Sequence, residues 1–593
     1  MTSSASTPAS SLSEPKHVPR FSSQADVDEF VDKLGEFERG ELTSDQWRKF
    51  RLVRGCYGQR QEGVQMQRVK IPLGYLVADQ LRAVAKAADA YSRGLAHVTT
   101  RQNFQFHFVQ LSDIPQLMTD LVEAGITARE ACGNAVRNVT GCDLAGVAKT
   151  AVFDTRAHGE TLTRFFLRHP KAADLPRKFK MAISCCPHDC AQGGIHDIGF
   201  IAKIQDGKRG FRVLVGGGLS SAPHAAELLY EFLPEGQMLE LAEAVLLVFD
   251  ARGNRENKQR ARLKYVLRKV GIDGLRTLVE EERVKIQARG DAAPVFEATP
   301  LPPPPPRARV TPAPEEPGPG YLGWRASNVK AQSQEGYSAV YVRLLLGDTT
   351  SNQMRAIADL SEKFGDGSVY TSAEQNLLLR FVPDGDLRAL HRDLVAAGLS
   401  ASGALGLRDV TSCPGADSCN LAITTSRGLG RAIEEALANA VAEGGALADA
   451  VALANDAQIK ISGCPHSCGR HHIADLGFHG AARKVEGRAM PVYQLHVGGG
   501  VDEAGARFGS QIVKIPAKRA PQAVLRFITR FAADRQGAET FSQYLRRQTP
   551  ADIKAAVGDL AEVLDGSPTE DEFVDFGAQN GFVVETKDGE CAA

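Results

Sequence analysis

The stretch ISGCPHSC at residues 461–468 is written a second time, as ISCCPHDC, at 183–190. Outward from this pair, further blocks repeat in the same order. RNVTGC (137–142) answers to RDVTSC (408–413), and DIGF (197–200) to DLGF (475–478). VLVGGG (213–218) answers to LHVGGG (495–500), and VTTRQNFQFHFV (98–109) to YTSAEQNLLLRFV (370–382). Each copy of this last block precedes an apolar-periodic segment ending in Ala-Gly, DIPQLMTDLVEAG (113–125) and DLRALHRDLVAAG (386–398). The offset between copies drifts only from 271 to 282 residues, so the chain is an internal duplication. Phe104, Phe106 and Phe108 alternate as in a half-buried strand, whereas 113–125 has helical spacing. Strand, helix and further strands predict an α+β unit in each half, with a small helix-on-sheet module and a larger sheet module carrying the Cys and Gly motifs.

Eleven of the 29 prolines fall between Pro294 and Pro319, including the run Pro302 to Pro306. Such a segment favours extended conformations, builds no core, and reads as a semi-rigid linker between the halves. A length of 593 residues calls for several domains, and 43% hydrophobic with 24% charged residues is ordinary for a globular protein. The net charge of −1 gives no reason to expect nucleic acid or a membrane surface as partner. The opening MTSSASTPASSLSEPKHVPRFSSQA has no apolar core of a secretory signal, and no stretch is apolar enough to span a bilayer. It reads as a disordered tail of a cytoplasmic protein.

Eleven cysteines without a secretory signal point to metal or redox chemistry rather than a disulfide framework. Eight are clustered: Cys142, Cys185, Cys186 and Cys190 in the first half, Cys413, Cys419, Cys464 and Cys468 in the second. Four thiolates are the usual ligand set of an iron–sulfur cluster, and the second-half quartet supplies them. A structural zinc site is the alternative, although the five-residue spacing of Cys413 and Cys419 is unusual for it. Four merely buried cysteines would not fall in Gly/Pro-flanked pairs such as SCPGADSC and GCPHSCG, whose exposed amides can tune a cluster. In the first half Ala148 stands where Cys419 would be, so that copy has lost the cluster set. Cys132, the other candidate for a fourth ligand there, lies ten residues before Cys142 rather than six after it.

The cations divide the opposite way. Arg101, Arg137, Lys178 and Lys180 of the first half correspond to Glu374, Arg408, Asp456 and Gln458 of the second. Lys178 and Lys180 share one face of a strand, since side chains repeat every two residues. Most Lys and Arg are solvated surface, but three of these four are replaced in the other copy. Converging on a cavity, they would bind a small oxyanion.

In combination, TTRQNFQFH, VRNV, LPRKFK, C-x5-C and GCPHSCG resemble the siroheme-dependent sulfite and nitrite reductases over roughly residues 45–545. The resemblance implies a ferredoxin-like small module in each half and siroheme between the halves. The implied layout is a tail and start of an N-terminal arm (1–45), a ferredoxin-like module (46–130) and a siroheme and substrate module (131–290). A linker (291–320), a second ferredoxin-like module (321–402), a [4Fe-4S] and siroheme module (403–550) and a C-terminal tail (551–593) follow. It implies cluster ligation by Cys413, Cys419, Cys464 and Cys468, with Cys468 shared with the siroheme iron, and substrate binding by Arg101, Arg137, Lys178 and Lys180. Arg60, Gln102 and the glycines Gly498, Gly499 and Gly500 are further candidates for siroheme contact. Some relatives join a tyrosine to a cysteine beside the siroheme, and Tyr57 and Cys142 look like the matching positions, with an unmodified pair the equal alternative.

The implied activity is six-electron reduction of sulfite to sulfide, with nitrite to ammonia as the alternative. Sulfite is favoured because nitrite reductases of the family tend to carry Asn where Lys180 stands. The Gly-rich strands lack the G-x-G-x-x-G of a dinucleotide site, and no segment is left for a flavin domain. Electrons are therefore expected from a separate ferredoxin or flavoprotein. A siroheme- or zinc-binding scaffold without turnover is the non-enzymatic alternative, against which the intact cation quartet argues. The segment EDEFVDFGAQNGF (570–582) and the lone Cys591 carry no motif that can be interpreted.

Overall fold

A computed structural model describes residues 18–289, 318, 320–564 and 567–586. The N-terminal segment 1–17, nearly all of the Pro-rich linker and Cys591 lie outside the described residues. Within 18–45 the chain forms a helix, Gln24–Glu38, which buries Val27, Phe30 and Leu34 at helical spacing, with Phe30 and Phe37 against Trp47.

Each half contributes two sheets. In the small sheet of the first half the strands Cys56–Gly58, Val64–Val69, Phe104–Gln110 and Leu95–Val98 lie side by side, and the fifth strand, Asp348–Thr350, comes from the other half. The small sheet of the second half places Val329–Ala331, Tyr337–Val342, Leu377–Pro383 and Ser368–Thr371 in order and is completed by Tyr75–Val77 of the first. The halves thus exchange one strand each, with Asp348 opposite His97 and Ser368 opposite Val77. Helices Ala78–Tyr91 and Ser351–Phe364 pack on one another, and a single hydrophobic core runs through both small modules.

Strand Phe104–Gln110 departs from simple alternation. Phe104, Phe106 and Val109 are buried, while Phe108 sits at φ 62° beside a register shift between Gln65 and Gln67 on the neighbouring strand. Such a bulge re-aims side chains. The copy repeats it, with Phe381 at φ 55°.

The larger sheets run Thr140–Gly141, Met181–Ser184, Ile198–Gln205, Lys208–Val215, Glu227–Pro234 and Thr411–Ser412, Ile459–Ser462, Leu476–Val485, Arg488–Val497, Ser510–Pro516. The first three strands of each are parallel and the rest antiparallel. Parallel neighbours end on the same edge, and that edge is where α/β sheets place ligands. The cysteines follow directly: Cys142 after Gly141, Cys185 and Cys186 after Ser184, Cys413 after Ser412, and Cys464 after Ser462 with only Gly463 between. Each large sheet has its own core, backed by helices Met238–Arg252 and Leu263–Ala288 in one half and Ser426–Glu443 and Ala520–Asp534 in the other.

Candidate functional site

An open cavity lies between the halves, and its wall takes residues from both. On the second-half side stand Cys413, Cys419, Cys464 and Cys468; on the first-half side stand Arg101, Arg137, Lys178 and Lys180. The eight residues singled out as cluster ligands and anion-binding cations therefore share one cavity.

The loops after the second-half parallel strands set the thiols. Gly463 N–H donates to Cys413 Sγ at 3.3 Å, and Ser426 Oγ lies 3.3 Å from the same sulfur. These are the N–H and O–H groups that stabilise a thiolate. Burial first, then the neighbouring sulfurs of Cys468 and Cys413, push the Cys464 thiol up. That rise is the cost of crowding like groups without a cation among them, and a bound metal centre removes it. Thr100 of the first half donates to the Cys468 carbonyl at 3.0 Å, tying the TTRQ turn to the cysteine loop opposite.

The cations are held by backbone. Arg137 spends three donors on carbonyls, Nε and Nη2 on Gly133 and Nη1 on Ala131. Arg101 Nη2 donates to the Asn138 carbonyl and Nη1 to His196 Nε2 at 2.7 Å. Burial, then Arg470 and Arg137, hold Arg101 well below the ordinary arginine range. An arginine stays protonated in a protein, so this direction measures positive potential that an anion would relieve. Lys180 carries the same signature: burial first, then Arg101 and Lys178, push its amine well below an ordinary lysine. His196 is also driven far down by burial and by Arg101, hence neutral. Its Nδ1–H donates to the Gln192 carbonyl at 2.6 Å, which leaves Nε2 to accept from Arg101.

Three wall residues escaped the sequence reading. His196 precedes the DIGF motif, whose Asp197 accepts Lys180 N–H at 2.8 Å and binds Arg262 at 2.8 Å. Arg470 comes from the second half, with its guanidinium on Gln192 and the Thr100 carbonyl. The cationic wall is therefore not the property of the first half alone. Arg470 directly follows GCPHSCG and is the copy of Gln192, so the two halves differ in charge there too.

Other expected contacts are not on the wall. Gln102 turns away at φ 60°, its Nε2 donating to Thr371 O at 2.9 Å and Gly141 O at 3.1 Å while Oε1 accepts from Gly141 N–H at 2.9 Å. Its copy Gln375 is built alike, reaching Val98 O at 2.9 Å and Ser412 N–H at 2.8 Å. The pair forms reciprocal staples between halves; of the two, only Gln375 touches the cavity. Arg60 is engaged on the Ala422 and Glu585 carbonyls. Gly498, Gly499 and Gly500 are not among the wall residues: a Cβ on Gly499 would meet His472 O at 2.3 Å, so that glycine admits close backbone, while Gly498 has open space and Gly500 faces the Arg507 side chain. Tyr57 does line the cavity, but it packs with Leu52, Met66 and Cys132, whereas Cys142 packs with Cys185 and Cys186. Tyr57 and Cys142 thus belong to different packing groups.

The C-terminal segment also reaches the site. Asp575 accepts Thr425 N–H at 2.8 Å and the Phe576 carbonyl accepts Thr425 Oγ1 at 2.8 Å, one residue from the Ser426 that supports Cys413. The segment 570–582 is thus a clasp on the cysteine loop.

The wall fits an anionic macrocycle next to a thiolate-bound cluster. Arg101 Nε, His107 Nε2, Ser412 Oγ and Ser467 Oγ are buried on it without hydrogen-bond partners. Buried polar atoms of this kind await a ligand or water. Among the described residues no helix is long and apolar enough to cross a membrane.

Comparison with known proteins agrees. The nitrite and sulphite reductase 4Fe-4S domain matches residues 132–287 and 403–557, and the nitrite/sulfite reductase ferredoxin-like half domain matches 57–124 and 330–397. A ferredoxin–nitrite reductase of Synechococcus elongatus is 31% identical over 74% of this chain and 80% of its own length. A ferredoxin sulfite reductase of Mycobacterium tuberculosis is 29% identical over 82% and 83%. The solved structure of Mycobacterium tuberculosis NirA superposes with a TM-score of 0.74 at 27% identity, covering 89% of this chain and 97% of that one. With both family domains present twice, the chain belongs to the nitrite and sulfite reductases, oxidoreductases whose cofactors are siroheme and a [4Fe-4S] cluster.

Proposed function

We propose that this enzyme reduces sulfite to sulfide. The observation that carries the reading is the convergence of Arg101, Arg137, Lys178 and Lys180 opposite the four thiols of one cavity. Lys180, where nitrite reductases of the family tend to carry Asn, favours the larger and more highly charged anion.

Cys413, Cys419, Cys464 and Cys468 would hold the cluster, with Cys468 also a ligand for siroheme. Arg68 and Arg470, which line the same cavity whereas Arg60 and Gln102 do not, would partner siroheme carboxylates. When bound, these cofactors supply the electrons. The chain's own groups bind and orient the anion. Arg101 and Arg137 keep their protons, so they act as fixed electrostatic clamps, Arg101 positioned by the neutral His196 and Arg137 by the 131–133 carbonyls. Lys178 and Lys180 can give protons up. Burial and Arg101 make the Lys180 ammonium more acidic, which suits it to protonate oxygens that depart as water. The donor is a ferredoxin, as in the names of the relatives, and the setting is the cytoplasm.

Nitrite is the second reading, since relatives named for either anion match at 26–31% identity. Steady-state rates with sulfite and with nitrite, on one reduced ferredoxin, separate the two. We expect the higher kcat/KM with sulfite; a large preference for nitrite would sink the proposal.

A further inference from the structure

The first-half cysteines, which correspond to the cluster ligands but lack a partner for Cys419, form a second constellation. Cys142, Cys185 and Cys190 bring their sulfurs within 4.8 Å of one another, and Cys186 Sγ lies 2.7 Å from Cys190 Sγ. All four are free cysteines.

Size decides what such a set holds. A tetrahedral zinc with Zn–S bonds of about 2.3 Å sets its sulfurs roughly 3.8 Å apart. Cys142, Cys185 and Cys190 approach that scale, while Cys186 stands outside their group of three and lies 2.7 Å from Cys190, so an ion would have to part that pair. Among the described residues the second-half thiols do not close to within 4.8 Å in any group of three, in keeping with a larger multi-iron cluster. The fourth ligand is also new. Cys185 occupies the position of Gly463, where a Cβ would lie 2.6 Å from Thr424 O and 2.9 Å from Gly415 Cα. No side chain fits there in the second half. In the first half the same backbone bond is kept, Val152 N–H to Cys185 O at 2.7 Å matching Ile423 N–H to Gly463 O at 2.7 Å, yet a thiol is accommodated. One ligand was lost at Ala148 and one gained at Cys185. Backbone amides support the set as a metal's outer shell would, Leu144 N–H toward Cys142 sulfur and His188 and Cys190 N–H toward Cys186 sulfur. Cys190 is exposed while the other three are buried, which gives an ion a way in.

We propose that Cys142, Cys185, Cys186 and Cys190 bind one zinc ion as a structural site, separate from the catalytic cavity. Each thiol that ligates releases its proton to solvent and no electron is transferred. The ion would staple the C-terminal ends of the parallel strands Thr140–Gly141 and Met181–Ser184.

The test counts metal in the full-length holoenzyme by plasma mass spectrometry and records zinc K-edge EXAFS on the same sample. About one zinc per chain is expected, surrounded by sulfur alone at about 2.3 Å. Cys185→Gly, which restores the residue of the other half, should lose that zinc while the siroheme absorption and the cluster iron persist. A wild-type protein without zinc, whose four thiols alkylate with iodoacetamide or map as a Cys186–Cys190 disulfide, overturns the proposal. Iron in place of zinc, amounting to a second cluster, overturns it as well. Zinc is read from the wild type, so neither a variant that fails to fold nor a missing siroheme, which would instead break the functional reading, obscures the answer.

Discussion

In the second half the thiols of Cys413, Cys419, Cys464 and Cys468 stand apart on the wall of one cavity; in the first half Cys142, Cys185 and Cys190 gather within 4.8 Å and Cys186 lies against Cys190. Both sets sit at the ends of parallel strands in sheets of the same order. The partners differ in sign. The second-half thiols look across at Arg101, Lys178 and Lys180, whereas Cys142 is followed by Asp143, whose carboxyl is pushed well up by burial and then by Cys142 and Glu374. Glu374 is the copy of Arg101 itself. A duplicated fold therefore fixed where thiols would gather, and substitutions of charge decided which gathering faces an anion.

Breaking the second-half set should have the largest effect. Cys468→Ser is expected to lose cluster iron and to lower turnover by more than about 1000-fold, read by iron content and steady-state rate. Next comes the opposite wall. Lys180→Asn should lower sulfite kcat/KM by about 100-fold while the siroheme absorption stays, an electrostatic loss of the size seen on removing one preorganised donor. Loss of siroheme in that variant would make Lys180 a cofactor clamp instead. The pH profile sharpens the point. A lysine needed as its ammonium stops working as pH rises through its pKa, and burial with Arg101 has moved the Lys180 value down. The alkaline limb of kcat/KM should thus fall well below the ordinary lysine value of about 10.4, and Lys180→Arg should shift it upward.

Structural symmetry should hold where chemical symmetry does not. Gln102→Ala and Gln375→Ala each remove two or more buried bonds across the halves, and both should cost about 2–4 kcal/mol in denaturant unfolding. A large cost for one alone would contradict their role as paired staples. The smallest effect is Thr100→Val, which loses one bond to the Cys468 carbonyl, about 1 kcal/mol in thermal unfolding. Its copy is Ala373, so no matching bond exists to lose.

Much of this was legible in the sequence because duplication supplied its own control. Six repeated blocks located the thiols, and the difference at Ala148 and Glu374 separated the roles. What stayed hidden has no local signature. Arg470 arrives on the wall through the packing of one half on the other. Gln102 was read as a contact because it neighbours Arg101, but a left-handed turn points it into the seam. Cys185 was passed over as a fourth first-half ligand because its copy is a glycine, and an alignment of halves scores such a position as loss. The Gly-rich strands were read for a ligand when the close partner was backbone, and the clasp at 570–582 shows itself only through Thr425.

The exchanged strands bear on how the chain is made. Val77 has no strand partner until Ser368 has been synthesised, and His97, paired with Gln105 on one side, gains its other neighbour only with Asp348. The first half cannot finish its central layer as it leaves the ribosome; its own four strands end in an open edge next to a core that the second half completes. Such long-range pairing slows folding and exposes an adhesive edge to other chains. The halves must mature as one cooperative unit, so cutting the chain at the linker should yield fragments that fold only when they are together.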